Sequence, residues 1–268
     1  MKKNFPVQIT EPAVLAETGH FLVKLAENHE EVERAQRLRY EVFNLEQGRG
    51  LETAKKYGID FDEFDEYCLH LLVIEKNSGE VKGTYRIHLG SIANSAKGFF
   101  SSKEYEITGL YHIADKCMEL GRASVSSEYR GGVVMALLWN AISELMARAD
   151  LTYMLGCVSL DVVDPKIGWA VYEYLRGTGA VSNDFGVVAR PGFKLERSRE
   201  SDIQKVLSDI AVLRKCIPSL FKGYLRLGAH ILGEPALDRE FGTIDFFIIV
   251  DINKVPEKYL RHFHYRKK

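Results

Sequence analysis

The chain has 268 residues, 46% of them apolar and 11% aromatic; a chain of this size buries about 75% of its unfolded surface and needs neither disulfide nor metal to hold a core. Lys and Arg (36) balance Asp and Glu (37), so the basic excess of a nucleic-acid binder is absent and no nucleic-acid partner is expected. Cys68, Cys117, Cys157 and Cys216 form no C-x-x-C pair and have no His at ligand spacing, which gives no metal site and favours a reducing, cytoplasmic compartment.

At the start of the chain, Asn4–Ala16 is broken by Pro6, Glu11 and Pro12 and offers no apolar export signal. Phe21–Ala26 reads as a short strand, and Val32, Ala35, Leu38, Val42 and Leu45 recur at helical spacing across Glu30–Gln47. Gly48–Glu66 carries no steady period and ends in the acidic run Asp60, Asp62, Glu63, Asp65 and Glu66, so it reads as a loop. Leu69–Ile74 and the alternating Val81–Leu89, joined by Asn77-Ser78-Gly79, predict an antiparallel hairpin.

Beyond the irregular stretch Gly90–Asp115, the pattern predicts a strand at Cys117–Val125, a helix at Gly132–Ala149, a strand at Leu151–Leu160 and a helix at Pro165–Arg176. That is the element order of a parallel crossover. Ser201–Cys216 reads as helical and Gly242–Val250 as a last strand. No apolar run approaches the ~20 residues that span a bilayer, and no repeat or linker divides the chain. The expectation is one α/β domain over residues 20–250 with a C-terminal elaboration, preceded by an extension (1–19) and followed by a basic tail (251–268).

The most informative passage is Met118-Glu119-Leu120-Gly121-Arg122-Ala123-Ser124-Val125, followed by Tyr129-Arg130-Gly131-Gly132 and a helix. A strand running through a glycine turn into a helix aims backbone N–H groups at an anion or carbonyl oxygen. Arg130-Gly131-Gly132 by itself also describes a plain connection in which the glycines supply only the bend.

Together with Leu155-Gly156-Cys157-Val158-Ser159-Leu160 and Trp169–Leu175, the order of elements resembles the GNAT superfamily of N-acyltransferases. The resemblance sharpens to the lyso-ornithine-lipid synthases, the L-ornithine N-acyltransferases often labelled hemolysin-like. It is carried by Leu38-Arg39-Tyr40-Glu41-Val42-Phe43, Asp62–Tyr67, Glu119-Leu120-Gly121-Arg122, Leu137-Leu138-Trp139, Gly223–Ala229, Gly233-Glu234-Pro235-Ala236 and Phe241–Phe247. It implies a mixed, splayed β-sheet flanked by helices and no permanently bound cofactor. The implied reaction moves a 3-hydroxylated fatty acyl group from acyl carrier protein, or coenzyme A, to the α-amine of ornithine or, second, glycine. Where the superfamily's coenzyme A loop reads Q/R-x-x-G-x-G/A, Arg130-Gly131-Gly132 continues as Val133-Val134-Met135. A shortened loop suits a carrier protein's single phosphate.

The resemblance makes Glu119 the candidate base, with a simple ion pair to Arg122 or Arg86 as the alternative. Tyr172 stands at the general-acid position, and equally at a core position beside Trp169 and Leu175. Arg39 and Arg122 match arginines near the acceptor, suited to its carboxylate. Asp62 and Asp65 either attract the cationic ornithine side chain or belong to a solvated loop. Arg130, Gly131 and Gly132 are the donor-binding candidates, and Arg130 with Arg190, Lys194, Arg197 and Arg199 either meets an acidic carrier or forms a solvated face. His70, His88 and His112 show no ligand pattern. In Asn253–Lys268, six basic residues against Glu257, interleaved with Tyr259, Leu260, Phe263 and Tyr265, suggest a peripheral contact at the inner membrane face or a plain solvated terminus. The rival readings are an acyl-homoserine-lactone or N-acyl amino acid signal synthase, and a non-catalytic GNAT-like module that binds acyl carrier protein or lipid.

Overall fold

The computed structural model describes residues 13–262. In chain order its elements are β1 (Val14–Glu17), β2 (Phe21–Leu25), α1 (His29–Tyr40), α2 (Glu52–Tyr57), β3 (Leu69–Glu75), β4 (Val81–Leu89) and α3 (Gly90–Ser95). There follow β5 (Tyr105–Ile107), β6 (Cys117–Val125), α4 (Val133–Arg148), β7 (Tyr153–Leu160), α5 (Pro165–Gly177), β8 (Val181–Ser182) and β9 (Val187–Ala189). The last are α6 (Glu200–Leu207), α7 (Ile210–Cys216), α8 (Ser219–Arg226), β10 (His230–Leu232), β11 (Ala236–Asp238), β12 (Thr243–Asp251) and α9 (Glu257–His262). The stretch read as a single domain, 20–250, is built from two compact units, one of 13–98, 115–152 and 257–262, the other of 99–114 and 153–256.

In the first unit β1, β2, β3, β4 and β6 pair in that order, every neighbour antiparallel. The expected hairpin is β3–β4, with Leu69 opposite Ile87. Asn28 caps α1 by accepting from the Glu31 N–H at 2.9 Å, and Glu30 and Glu31 in the first turn suit the positive end of the helix dipole. Beyond Tyr40 the chain continues as a π-helical turn, Glu41–Glu46. Val32, Ala35, Leu38 and Val42 form one buried cluster with Leu72, Ile74 and Val81, so α1 covers one face of the hairpin. Successive strand residues alternate faces, and Val73, between Leu72 and Ile74, lies with Gly83 beneath Val134 and Leu138. The opposite face is therefore covered by α4, and β4 is buried along its whole length.

The second unit pairs β7 with β12, β12 with β10, and β10 with β8; β11 also pairs with β12, and β5 with β9 in a separate ribbon. Only the β8–β10 pair is parallel among these. Asp164 caps α5, Pro165 opens it, and Gly168 lets it approach β12, since a Cβ there would lie 2.8 Å from the Ile244 Cδ1. Phe221 of α8 packs on Phe246 of β12 with ring centroids 5.5 Å apart.

Three readings change. The Gly48–Glu66 loop contains α2, whose six residues are too few to show a helical period, and which stops at the left-handed Gly58. Ser201–Cys216 is two helices, because the Asp209 side chain accepts from the Val212 N–H at 3.0 Å and starts α7 anew. The extension and tail are partly built in: β1 pairs with β2, and Ile252 and Val255 are buried. Residues 1–12 and 263–268, the latter with Phe263, Tyr265, Arg266, Lys267 and Lys268, lie outside the described residues. Among the described residues no helix is long and apolar enough to cross a membrane.

A Cβ on Gly83 would lie 2.4 Å from the Val134 Cγ1, so β4 and α4 meet only because position 83 has no side chain. Gly83→Ala should destabilise by about 1–3 kcal/mol through overpacking. Adding Val134→Ala should return part of that loss. Urea denaturation of the single and double variants checks the coupling; simple additivity would contradict the packing.

Candidate active site

Arg39, at the end of α1, is wholly buried. Its Nε donates to Asp60 Oδ1 at 2.7 Å and its Nη2 to the Asp60 carbonyl at 2.6 Å, while Nη1 and Nη2 reach the two Asp65 oxygens at 3.0 and 3.1 Å. Arg86, on β4, donates from Nη1 to Asp62 at 2.6 Å and to Asp65 at 3.0 Å. Arg122, on β6, reaches Asp60 at 3.4 Å and Asp62 at 3.0 Å. Three guanidinium and three carboxylate groups thus close into a neutral network. Burial alone would push Asp62 and Asp65 up, yet Arg86 and Arg122 hold Asp62, and Arg39 and Arg86 hold Asp65, well below the usual carboxylate range.

Gln36 donates to Asp65 at 2.9 Å, and the His70 Nε2 donates to the Asp65 carbonyl at 3.1 Å. Burial pushes His70 down to about 4, so it is neutral at neutral pH. The acidic loop is therefore not a solvated segment: the carboxylates of Asp60, Asp62 and Asp65 turn inward because three arginines from three elements wait there. Arg39, Arg122, Asp62 and Asp65, singled out from sequence, come together. Asp60 and Arg86 complete them.

The Gly121 region is bulged. Thr84 faces Ser124 but Arg86 faces Gly121, so three steps on β6 match two on β4. Arg122 takes the extra position at φ 52°, left-handed backbone that costs a side-chain-bearing residue about 1–3 kcal/mol and persists because its surroundings hold it. Three residues earlier, Glu119 is buried directly opposite His88, with its Oε2 3.7 Å from the His88 Nδ1. Phe64 packs edge-on to the His88 ring at 6.1 Å. The Cys68 thiol, pushed far up by burial, feels Arg86, Asp65, Glu119 and Asp62, which sets Glu119 at the border of the network. His88 has a sequence signal after all: strand alternation puts it on the same face as Arg86.

Arg130 donates from Nε to the Val125 carbonyl at 3.2 Å and pairs with Glu46. Gly131 has φ 79°, open to glycine at no steric cost, and Gly132 leads into α4 with no side chain capping the helix. The N–H groups of the first turn of α4 are those of an open helix N-terminus.

In the second unit, Tyr172 on α5 is buried against Trp169, ring centroids 5.6 Å apart. Burial first, and the charge of Glu234 next, push its phenol up, so it stays protonated at neutral pH. Arg197 lies over Trp169 at 4.5 Å and pairs with Glu173 and Glu200, and Arg190 donates to the Ser102 carbonyl at 2.7 Å. Among the described residues, the acidic side chains grouped closely enough to hold a metal ion are Glu104, Asp238 and Asp245, brought together from segments too far apart for the sequence to reveal.

Arg39→Met should cost about 3–5 kcal/mol, because it leaves Asp60 and Asp65 buried with one guanidinium fewer. Chemical denaturation checks this. A loss below about 1 kcal/mol would place the network in the class of surface pairs.

The profile of the acetyltransferase (GNAT) domain matches residues 38–140. An L-ornithine N(alpha)-acyltransferase of Agrobacterium fabrum is 31% identical over 256 residues, covering 91% of this chain and 85% of the relative. The corresponding protein of Brucella abortus is 32% identical over 259 residues, covering 93% and 91%. That of Rhizobium meliloti is 30% identical over 258 residues, covering 93% and 86%. Among solved structures, a coenzyme A-dependent acyl-homoserine lactone synthase with MTA overlays 92% of this chain and 88% of its own at a TM-score of 0.49 and 16% identity. With 30–32% identity to these enzymes over more than nine tenths of its length, the chain is an acyltransferase that belongs to the L-ornithine N(alpha)-acyltransferase family.

Proposed function

We propose that the protein transfers a fatty acyl group from acyl carrier protein to the α-amine of L-ornithine, giving a lyso-aminolipid. The observation that carries this reading is the end-to-end similarity to enzymes named for that acceptor. The amine nitrogen attacks the thioester carbonyl carbon, forming the C–N bond, and the carbonyl oxygen takes the negative charge. Collapse of the tetrahedral intermediate restores C=O and breaks C–S. Glu119 takes the proton lost by the amine, directly or through water, and Tyr172 gives one to the departing thiolate.

Arg122 is assigned the acceptor carboxylate, which it meets by exchanging its longer contact, Asp60 at 3.4 Å, for an acceptor oxygen, since Asp60 keeps Arg39 as its partner. Arg39, Asp62 and Asp65 act at one remove, as positioning residues: Asp62 aligns Arg122 and Arg86, and Arg39 fixes Asp65 and Asp60. For the donor, the N-terminus of α4 after Gly131-Gly132 offers N–H groups to one phosphate, and Arg130 meets the acidic carrier by exchanging Glu46 for a partner carboxylate. The product belongs in a membrane, and the basic tail is assigned to hold the enzyme at an anionic lipid surface.

Two expectations follow from these roles. Glu119→Gln should lower kcat by ~10²–10⁴ with little change in donor KM, measured across a pH series. Near-wild-type turnover would remove Glu119 from the mechanism. Acyl carrier protein thioesters should give much higher kcat/KM than matching coenzyme A thioesters, with the preference reduced by salt and by Arg130→Ala. Equal kcat/KM for the two donors, indifferent to salt, would overturn the carrier assignment.

A further inference from the structure

The second unit contains an open cavity that the reaction as written does not use. It measures about 410 Å³ and lies between the end of α5, α7, α8 and the start of β10. Leu175, Ile217 and Leu225 line part of it with apolar surface, and Arg214, Lys222 and His230 bring one basic side chain each from α7, α8 and β10. Among the described residues, no carboxylate lines it.

Arg214 is held in a set direction. Its Nε donates to the Tyr174 hydroxyl oxygen at 2.8 Å, and the guanidinium lies over the Tyr174 ring, 5.6 Å from the centroid. Among the described residues, its two Nη groups, the Lys222 ammonium and the His230 ring meet no acidic or hydrogen-bonding partner. The acids nearest in sequence are engaged elsewhere: Glu173 pairs with Arg176 and Arg197, and Asp209 caps α7. Helix electrostatics account for Arg214, in the last turn of α7, but not for Lys222, which lies in the first half of α8, where the dipole repels a cation. Donors from three elements around a partly apolar cavity, with no acid to answer them, form a site for a phosphate-type anion joined to an apolar body.

We propose that this cavity receives the phosphate headgroup of an anionic phospholipid, with α7 laid against the bilayer surface. Two observations favour a lipid over a free phosphate. Ile210 and Val212 of α7 are 48% and 52% exposed, and Ile210 precedes Arg214 by four positions, so an apolar side chain stands next to the guanidinium on one helix face. From Lys205 to His230 the chain carries Lys205, Arg214, Lys215, Lys222 and Arg226 against Asp209 alone, a local excess that an anionic interface attracts. Interfacial helices combine these features, with apolar side chains below the headgroups and Lys or Arg at the level of the phosphates. The site is distinct in sequence from the basic tail, and its occupation requires no turnover, so it stands apart from the identity of the acceptor.

Flotation of the full chain with vesicles of phosphatidylcholine, alone or mixed with phosphatidylglycerol, tests this. Binding should require phosphatidylglycerol. Arg214→Gln combined with Lys222→Gln should lower the partition coefficient about tenfold or more. Lys205→Gln combined with Arg226→Gln removes the same charge from exposed positions outside the cavity and should lower it by less than about threefold. Ile210→Ser combined with Val212→Ser should lower it about fivefold or more, with thermal melting confirming that every variant is folded. Equal effects of the two charge pairs would mean diffuse attraction and overturn the site, as would a wild-type chain indifferent to phosphatidylglycerol. Full vesicle binding by the Arg214 and Lys222 variant would leave the basic tail as the lipid contact and overturn it too. Inorganic phosphate that raises the melting temperature of the wild type and not of that variant, with vesicles unbound, would replace the lipid with a free phosphate. Weakened binding of acyl carrier protein by the same variant, with vesicle binding unchanged, would give the surface to a protein partner instead. None of these readouts uses turnover, so a chain that fails to acylate ornithine would fail the functional proposal alone.

Discussion

Burying Arg39 would be ruinous without Asp60 and Asp65, and burying those two would be ruinous without Arg39, Arg86 and Arg122. This mutual dependence orders the first unit. Each arginine comes from a different element, α1, β4 and β6, and each aspartate from the stretch between α2 and β3, so satisfying the charges fixes where that stretch runs. Desolvating ions is expensive, and a network of this kind earns little stability against an apolar core of equal volume. What it supplies is registration. The loop can close only in the arrangement that pairs all six groups.

The bulge in β6 follows from the same constraint. An unbroken ladder would turn the side chain of residue 122 to one face or the other in strict alternation; the extra residue re-aims it toward Asp60 and Asp62. Its left-handed backbone is a strain held by those two partners. Glu119 remains in regular strand beside His88, a buried carboxylate at the border of the network.

The two units treat buried charge in opposite ways. Around Asp65 every negative group is met by a guanidinium, whereas around Asp245 the nearest strong charges have the same sign. Satisfied networks make a rigid frame, whereas a buried carboxylate met by neutral hydrogen bonds and by other carboxylates is raised toward its protonated form.

Much of this was legible in the sequence. The strand Cys117–Val125 has the bounds read from its pattern, the β3–β4 hairpin follows from alternation and an Asn-Ser-Gly turn, and the bulge lies at Gly121, a glycine inside a strand being a sign of irregular pairing. The motifs around Arg39 and Arg122 pointed to residues that the fold gathers into one charge network, since local pattern and residue chemistry are properties of the chain itself. Which charge meets which was decided only by tertiary structure. Arg39 and Asp60 are 21 positions apart and Glu104 and Asp245 are 141, and no periodicity links such pairs. Whether an aspartate faces water, an arginine or another carboxylate depends on what the fold packs against it, because the free energy of a charge is set by its surroundings and not by its place in the sequence.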